Sequence, residues 1–578
     1  MSSAPPVAIA VISDAHLHDP TVDFGWPGAA ETGGLSLRPL SEAARSTRVF
    51  NETKAAFLAA LDEIVRRGIR HVVLLGDYTD DGQVATTARI AEILTRYRRA
   101  HGLRFYLTPG NHDVFADRGR HRTKRFLRAD GSLEIVTSDP DRTGGGLPVT
   151  RSPAMYCPGQ PEGLLALRAH GYFGADGAYH WETPFGTQSD PLARRYSVRS
   201  RSGQTVRTLM DASYLVEPEA GLWLLMIDAN VFVPVDGGDA FEDSTAAGWT
   251  ALVAHKAFLV DWIAEVTARA DRLGKRLVAF SHYPLLDPLD GTRDDEAALL
   301  GPTETTGRLP RPEIGAALMA AGLRLHVSGH IHVNDTARMR DQERFLVNLA
   351  VPSLGGFPAA IKILSVHEAE VAVETVTFDD LPLDPGIMAL YQAEARHAGL
   401  NGSALLTARD YGDFLSAHIG HIAWRRHLKR EWPAPLAALL RIAHLGDLFR
   451  LASLPHDLPL EEAVSAVQQL RERAQAGEED AALTPADDPA LLEGISGIAL
   501  LGDWYRLRMG SGLGLRRVGP ERLALYRRLA GALRQRAHGA GSAQATLRQM
   551  FDLLERFADG LPSENFSLDM RTGKIRAL

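Results

Sequence analysis

The sequence predicts an α/β domain over residues 1–380, a sheet sandwich with flanking helices, followed by an all-α domain over 387–578. Three observations predict it. From Val7 to Asp113 apolar runs alternate with helix-period stretches, an order that requires parallel strands with covering helices. RFLVNLAVPS (344–353), AAIKILSVHEA (359–369) and EVAVETVTF (370–378) are β-branched and alternating, and are read as strands completing a second sheet. Beyond DLPLDPG (380–386) the composition turns to Ala, Leu and Arg with helical periodicity.

Residues 7–13 are the first strand, ending at Asp14, and the Pro-, Gly- and Ser-rich stretch near 19–50 is a long insertion. Phe57, Leu58, Leu61, Ile64 and Val65 recur at helical spacing, with Gly68 as terminator. HVVLLGD (71–77) is a strand and turn, 83–100 a helix, and RFYLTPGNHD (104–113) a strand and turn. A second insertion near 114–220 holds Tyr156, Tyr172, Phe173, Tyr179, Trp181 and Phe185. It lies after a strand end, where a cap would shape specificity, and packing on its own aromatics is the other reading. The strand GLWLLMIDAN (221–230), a helix over 248–270, the strand RLVAFSHYPL (276–285), a helix over 312–322 and the strand LRLHVSGHIH (323–332) follow. His326 is read as a packed strand residue.

In the helical part, Leu547, Met550, Phe551 and Leu554 form one stripe, and Leu523, Tyr526 and Leu529 another. GEEDAALTPADD (477–488) reads as an acidic connection. His418, His421 and His427 are read as ordinary helix residues, since no carboxylates accompany them. GSGLGLRR (510–517) lacks the preceding strand and the lysine of a phosphate-binding loop. Sequence alone leaves open whether the helical part forms a homo-oligomer or walls the site.

The net charge of −8 provides no global positive field for nucleic acid or an anionic membrane. RHRTKRFLR (120–128) is read as a solvated helix face ahead of an anion-holding groove. Cys157 is the single cysteine, which excludes a disulfide framework within the chain. No apolar run approaches a membrane span, and the expectation is a cytoplasmic protein acting on a small molecule.

The chemistry is concentrated in ISDAHLH (12–18), LLGDYTDDG (74–82), PGNHD (109–113), AFSHYPL (279–285) and SGHIHVND (328–335). Each sets Asp, His or Asn at the carboxyl end of an apolar run, where open α/β sheets place ligands. Asp14, His16, Asp77, Asn111, His282, His330 and His332 are the donor types of divalent metals that assist hydrolysis. On a regular strand, Asp14 with His16 and His330 with His332 would share a face. Asp77 is the simplest carboxylate to bridge two ions, which in such centres lie roughly 3.5–4 Å apart.

Taken together, these strings resemble the calcineurin-like metallophosphoesterase superfamily, whose ordered blocks are Asp-x-His, Gly-Asp-x-x-Asp, Gly-Asn-His-Asp/Glu, His and Gly-His-x-His. All five are present. The resemblance implies a four-layer αββα sandwich and two divalent or mixed-valence ions (Mn, Fe or Zn). Asp14, His16, Asp77 and His332 would hold one ion; Asp77, Asn111, His282 and His330 would hold the other. It implies hydrolysis of a phosphate ester by a water bridging the ions, with His112 protonating the leaving oxygen and Asp80 orienting His112. A carboxylate facing an imidazole stabilises the imidazolium, which suits a proton donor.

One departure bears on substrate. The phosphoprotein phosphatase branch has Asp-Arg-Gly where this chain has Asp80, Asp81 and Gly82, and purple acid phosphatases have tyrosine at the position of Asp80. A carboxylate in place of a phosphate-gripping arginine disfavours a dianionic monoester. What remains resembles the branch that includes class III cyclic-nucleotide phosphodiesterases, and diesters are expected ahead of monoesters. The alternatives are a phosphomonoesterase or nucleotidase on the same centre, and a non-catalytic scaffold, which would be expected to have lost ligands that are all present here. Nuclease activity would need a continuous basic track.

Overall fold

The computed structural model describes residues 6–26, 28, 34–128, 130–398, 400, 403–476 and 489–578. The chain divides into two compact units, Met1–Pro288 with Arg308–Leu415 and Pro562–Leu578, and Leu289–Gly307 with Ser416–Leu561. No helix among the described residues is long and apolar enough to cross a membrane.

The strands of the first unit, in chain order, are β1 (Val7–Ile12), β2 (His71–Leu74), β3 (Arg104–Leu107), β4 (Thr123–Leu127), β5 (Leu133–Thr137), β6 (Val149–Arg151), β7 (His180–Glu182), β8 (Arg195–Arg199), β9 (Val206–Met210) and β10 (Tyr214–Glu219). They continue with β11 (Leu222–Ile227), β12 (Arg276–Ser281), β13 (Leu325–Ser328), β14 (Asp335–Arg340), β15 (Phe345–Ala350), β16 (Ala360–Val366), β17 (Glu370–Thr377), β18 (Phe566–Asp569) and β19 (Ile575–Ala577). Two seven-stranded sheets result, ordered β19-β18-β17-β16-β1-β2-β3 and β14-β15-β13-β12-β11-β10-β7.

β1, β2 and β3 run parallel, with Ile9 opposite His71 and His71 opposite Arg104. The helices Thr53–Arg66 and Val84–His101 are the crossovers that parallel pairing demands. In the second sheet β11, β12, β13 and β15 are parallel. Trp249, Leu259, Ile263 and Leu318, from the helices Gly248–His255, Ala257–Leu273 and Pro312–Ala320, form one buried cluster with Leu225, Ile227 and Ala279 of that sheet. The single helix expected over 248–270 is broken at Lys256, whose buried ammonium donates to Asp211 and to the Asp228 main-chain oxygen, both at 2.9 Å.

Several expectations need correction. β15 joins the second sheet, but β16 and β17 enter the first, where β16 lies antiparallel to β1 with Val7 opposite Val366. Four successive residues of β1, Ile9 to Ile12, are buried, and without β16 its polar backbone would form a buried, unpaired edge. Residues 387–578 are not all helical. Pro562–Leu578 returns to the first unit, where β18 pairs with β17 and buries Phe566 and Leu568. The helix Pro385–Ala398 also belongs there: the Glu394 carboxylate accepts from the amides of Leu40 and Ser41, and the Tyr391 hydroxyl donates to Glu52.

The insertion near 114–220 is not a separate cap. Its β7 and β10 extend the second sheet, β8 and β9 pair with each other, and β4, β5 and β6 form a small sheet. Residues 120–128, read as a helix face, contain β4. Phe24 and Trp26 of the first insertion pack with Phe126, Val136 and Met155 of the second, so the two share a small core.

Helices dominate the second unit. Leu547, Met550, Phe551 and Leu554 are buried as their stripe predicts. Glu296 meets the Arg508 guanidinium through two hydrogen bonds of 2.9 Å, both side chains buried, which accounts for the inclusion of Leu289–Gly307. GSGLGLRR forms the junction of the helices Gly497–Gly510 and Gly512–Val518. His427 pairs with Glu431 and stacks on Tyr505. The acidic stretch 477–488 lies outside the described residues.

Phe566→Ala removes a fully buried ring from β18 and is expected to cost about 3–5 kcal/mol, read as a lower urea midpoint for the first unit.

Candidate metal centre

Strands β1, β2 and β3 of one sheet and β12 and β13 of the other all end beside the same place. The chain leaves them through Asp14, Asp77, Asn111, His282 and the pair His330 and His332. The two Asp-x-His and His-x-His pairs do not sit on regular strand. Asp14, His16, Asp77, His330 and His332 have φ values of 47°, 41°, 47°, 74° and 58°, and so lie in left-handed turns just past the strand ends. They are five of the eight non-glycine residues with positive φ among the described residues. Such conformations persist where surrounding structure enforces them, and they cluster at functional sites. The turns are packed tightly enough that a side chain at Gly110 would collide with the Asp77 carboxylate, and one at Gly329 with Asp14.

The structure brings all seven candidate ligands together. Asp14, His16 and His332 form one buried group, with His16 Nε2 3.1 Å from His332 Nε2 and His332 Nε2 3.4 Å from Asp14 Oδ1. Asp77, His282 and His330 form another, with His282 Nε2 3.3 Å from Asp77 Oδ2, 3.2 Å from His330 Nδ1 and 3.2 Å from Asn111 Oδ1. Asp77 Oδ2 also lies 3.8 Å from His16 Nε2, so one carboxylate faces both groups.

These residues fit two divalent cations. Asp14 Oδ1 is buried without a hydrogen-bond partner, and ring nitrogens of facing histidines converge at hydrogen-bond distance. Oxygen and imidazole donors without thiolate suit Mn, Fe or Zn. Second contacts orient the rings: His282 Nδ1 donates to the Leu75 carbonyl at 2.8 Å and His330 Nε2 to the Thr245 carbonyl at 2.9 Å. Each histidine therefore turns its other nitrogen inward. Asn111 Nδ2 donates to Thr245 Oγ1 at 3.1 Å, which presents Oδ1 to the site.

His112 stands beside the second group, its amide donating to Asp77 Oδ1 at 2.7 Å. Its Nδ1 is 2.6 Å from Asp81 Oδ1, so the facing carboxylate is Asp81 and not Asp80, as the sequence had suggested. Asp80 is drawn away by three cations, with Arg38, Lys124 and Arg48 at 2.8, 2.9 and 3.1 Å. Burial opposes its ionisation, yet Lys124 and Arg38 hold Asp80 well below the usual carboxylate range. Asp81 is likewise depressed against its burial, by Arg122 and Lys124. Burial also opposes charge on His282, but Asp77 and Asp14 push its pKa up to about 9. His326 is a buried strand residue bonded to Ser281 and Asn348.

Residues 7–156 match the family model for calcineurin-like phosphoesterases. The matched residues include Asp14, His16, Asp77, Asn111 and His112, while His282, His330 and His332 lie beyond them. No curated protein matches the chain in sequence. Among solved structures, it is similar to the crystal structure of a dimetal phosphatase from Danio rerio, with 12% identity, a TM-score of 0.34, and coverage of 65% of this chain and 97% of that one.

Several residues around this site escaped the sequence reading. Arg48, in a loop, and Thr245, in the short 3-10 helix Ser244–Ala246, lie far along the chain from the motifs they touch, and no local pattern marks them. Arg122 and Lys124 could have been found. They are two apart in RHRTKRFLR, and read as a strand that spacing sends both to one face.

The two aspartates are expected to separate on substitution. Asp80→Asn leaves three cations crowded without their shared carboxylate and should cost about 3–5 kcal/mol in urea unfolding. Because the folded-state pKa of Asp80 is depressed, its stabilisation is present above the unfolded carboxyl pKa of about 3.9 and is lost as pH falls, so the loss in the variant should shrink in acid. Asp81→Asn should keep its bound metal, measured by elemental analysis, and lose roughly tenfold to a hundredfold in turnover.

Proposed function

We propose that this protein is a hydrolase that cleaves phosphate esters on a dinuclear metal centre, built on a four-layer αββα arrangement of the two sheets. The observation that carries the reading is the pair of buried His/Asp groups facing one carboxylate, Asp77, with His112 beside them. Asp14, His16, Asp77 and His332 would hold one ion, and Asp77, Asn111, His282 and His330 the other. When bound, two divalent ions supply Lewis acidity, activating water and neutralising phosphoryl oxygens.

The protein's own groups account for the remaining requirements. His112 is the proton donor to the leaving oxygen, and a quarter of its side chain is exposed, as a group that meets substrate must be. Asp81 accepts the hydrogen bond from the Nδ1–H and holds the ring in one orientation. The main-chain hydrogen bond from His112 to Asp77 fixes the proton donor relative to the metal ligands.

The expectation of diesters ahead of monoesters, and with it the link to cyclic-nucleotide phosphodiesterases, rested on a carboxylate at position 81 repelling a dianion. Asp81 is instead turned to His112, Arg122 and Lys124, which neutralise it. Monoesterase activity therefore stands as a second reading, favoured by the Arg48 guanidinium close to His112.

Metal-stripped protein should be silent and regain hydrolysis of p-nitrophenyl phosphate or bis-p-nitrophenyl phosphate with Mn, Fe or Zn. His112→Ala should retain both ions and lose about 10²–10⁴ in turnover on a poor leaving group. Full turnover in that variant would remove His112 from the mechanism.

A further inference from the structure

The cations beside His112 outnumber the carboxylates that hold them. Asp80 is shared by Arg38, Lys124 and Arg48, Asp81 by Arg122 and Lys124, and Glu42 takes a second side of Arg38 at 2.6 Å. With Arg125, which reaches Glu42 at 3.3 Å, five cations thus share three carboxylates. Arg48 is incompletely matched. It reaches Asp80 through Nη2 alone, at 2.9 Å from the main-chain oxygen and 3.1 Å from Oδ1, and stands 3.7 Å from Asp81. Its Nε is buried and makes no hydrogen bond among the described residues.

The position of Arg48 matters as much as its charge. Nη2 lies 3.4 Å from His112 Nδ1, and the His112 ring is 5.1 Å from that of His16, so the guanidinium sits at the rim of the candidate metal centre. The side chain is 11% exposed, which leaves it poorly screened. A desolvated guanidinium with an unused N–H and surplus charge suits an anionic oxygen, which it binds with directional hydrogen bonds.

We propose that Arg48 binds a non-bridging oxygen of the substrate's phosphoryl group and that the substrate is a phosphomonoester in its dianionic form. This rests on the phosphoesterase reading above. A monoester dianion carries one more charge than a diester at the scissile phosphorus, and that charge matches the surplus around Arg48. A diester has an alkyl or aryl group at the third oxygen and leaves the surplus unanswered.

The test uses metal-loaded wild type, Arg48→Gln and Arg48→Lys. Hydrolysis of p-nitrophenyl phosphate and bis-p-nitrophenyl phosphate is measured together with the rise in melting temperature caused by inorganic phosphate. Wild type should favour the monoester. Arg48→Gln should lose at least about tenfold more kcat/KM on the monoester than on the diester, as expected for a charge-assisted hydrogen bond. The phosphate-induced rise should also shrink in that variant. Arg48→Lys keeps the charge without the fork and should fall between the two, and it carries the test if Arg48→Gln does not fold. A wild-type preference for the diester, or a proportional loss on both substrates with an unchanged phosphate response, would overturn the proposal and leave Arg48 as a support for Asp80. Silence of wild type on both esters under Mn, Fe and Zn would instead sink the phosphoesterase reading, and the phosphate response would then decide the anion site by itself.

Discussion

One carboxylate, Asp77, ties both candidate metal groups to each other and to His112. Oδ2 faces His282 at 3.3 Å and His16 at 3.8 Å, and Oδ1 accepts the His112 amide at 2.7 Å. Its placement follows from the sheet. β2 lies between β1 and β3, all three parallel, so Asp77 emerges between the turns that deliver Asp14 and Asn111. The second sheet brings β12 and β13 to the same place, and their turns deliver three histidines. A site assembled from five strand ends needs two sheets whose parallel strands end together, and that requirement explains the crossover helices on each.

Burying so many charged groups creates an electrostatic problem beyond the ligands. Asp80 and Asp81 follow Asp77 in the same turn region, both buried, and a pair of adjacent buried carboxylates is unstable without cations. The two insertions solve it. Arg38 and Arg48 come from the first, Arg122 and Lys124 from the second, and the shared core of Phe24, Trp26 and Phe126 holds the two insertions together. The irregular segments are therefore part of the site's charge balance.

This division also explains what the sequence could and could not tell. The candidate ligands were legible because metal chemistry restricts them to a few residue types at the ends of apolar runs. The left-handed turns that place Asp14 and His16 were not, since nothing in ISDAHLH distinguishes a strand continuing through the pair from a strand ending at Ile12. Which of Asp80 and Asp81 meets His112 depended on cations that arrive from residues 38, 48, 122 and 124. The strand character of β16, β17, β18 and β19 differed in legibility for a related reason. Alternation revealed the first two as strands, but their choice of β1 as partner is a long-range decision, and β18 and β19 are too short to stand out after a helical run.

The left-handed turns have a thermodynamic side. Each non-glycine residue held at positive φ costs on the order of 1–3 kcal/mol, and five of them gather within one site. Local contacts in the site do not offset this, because its imidazoles and carboxylates are buried and incompletely hydrogen-bonded. The offset must come from the strands that lead into the turns: Ile9 to Ile12 of β1, Val72 to Leu74 of β2 and Phe105 to Leu107 of β3 are all buried. Apolar burial behind the site holds the backbone in a conformation that the site residues would not adopt alone. Convergent donors held in that way are preorganised for metal, so binding has little further ordering to impose on the ligands.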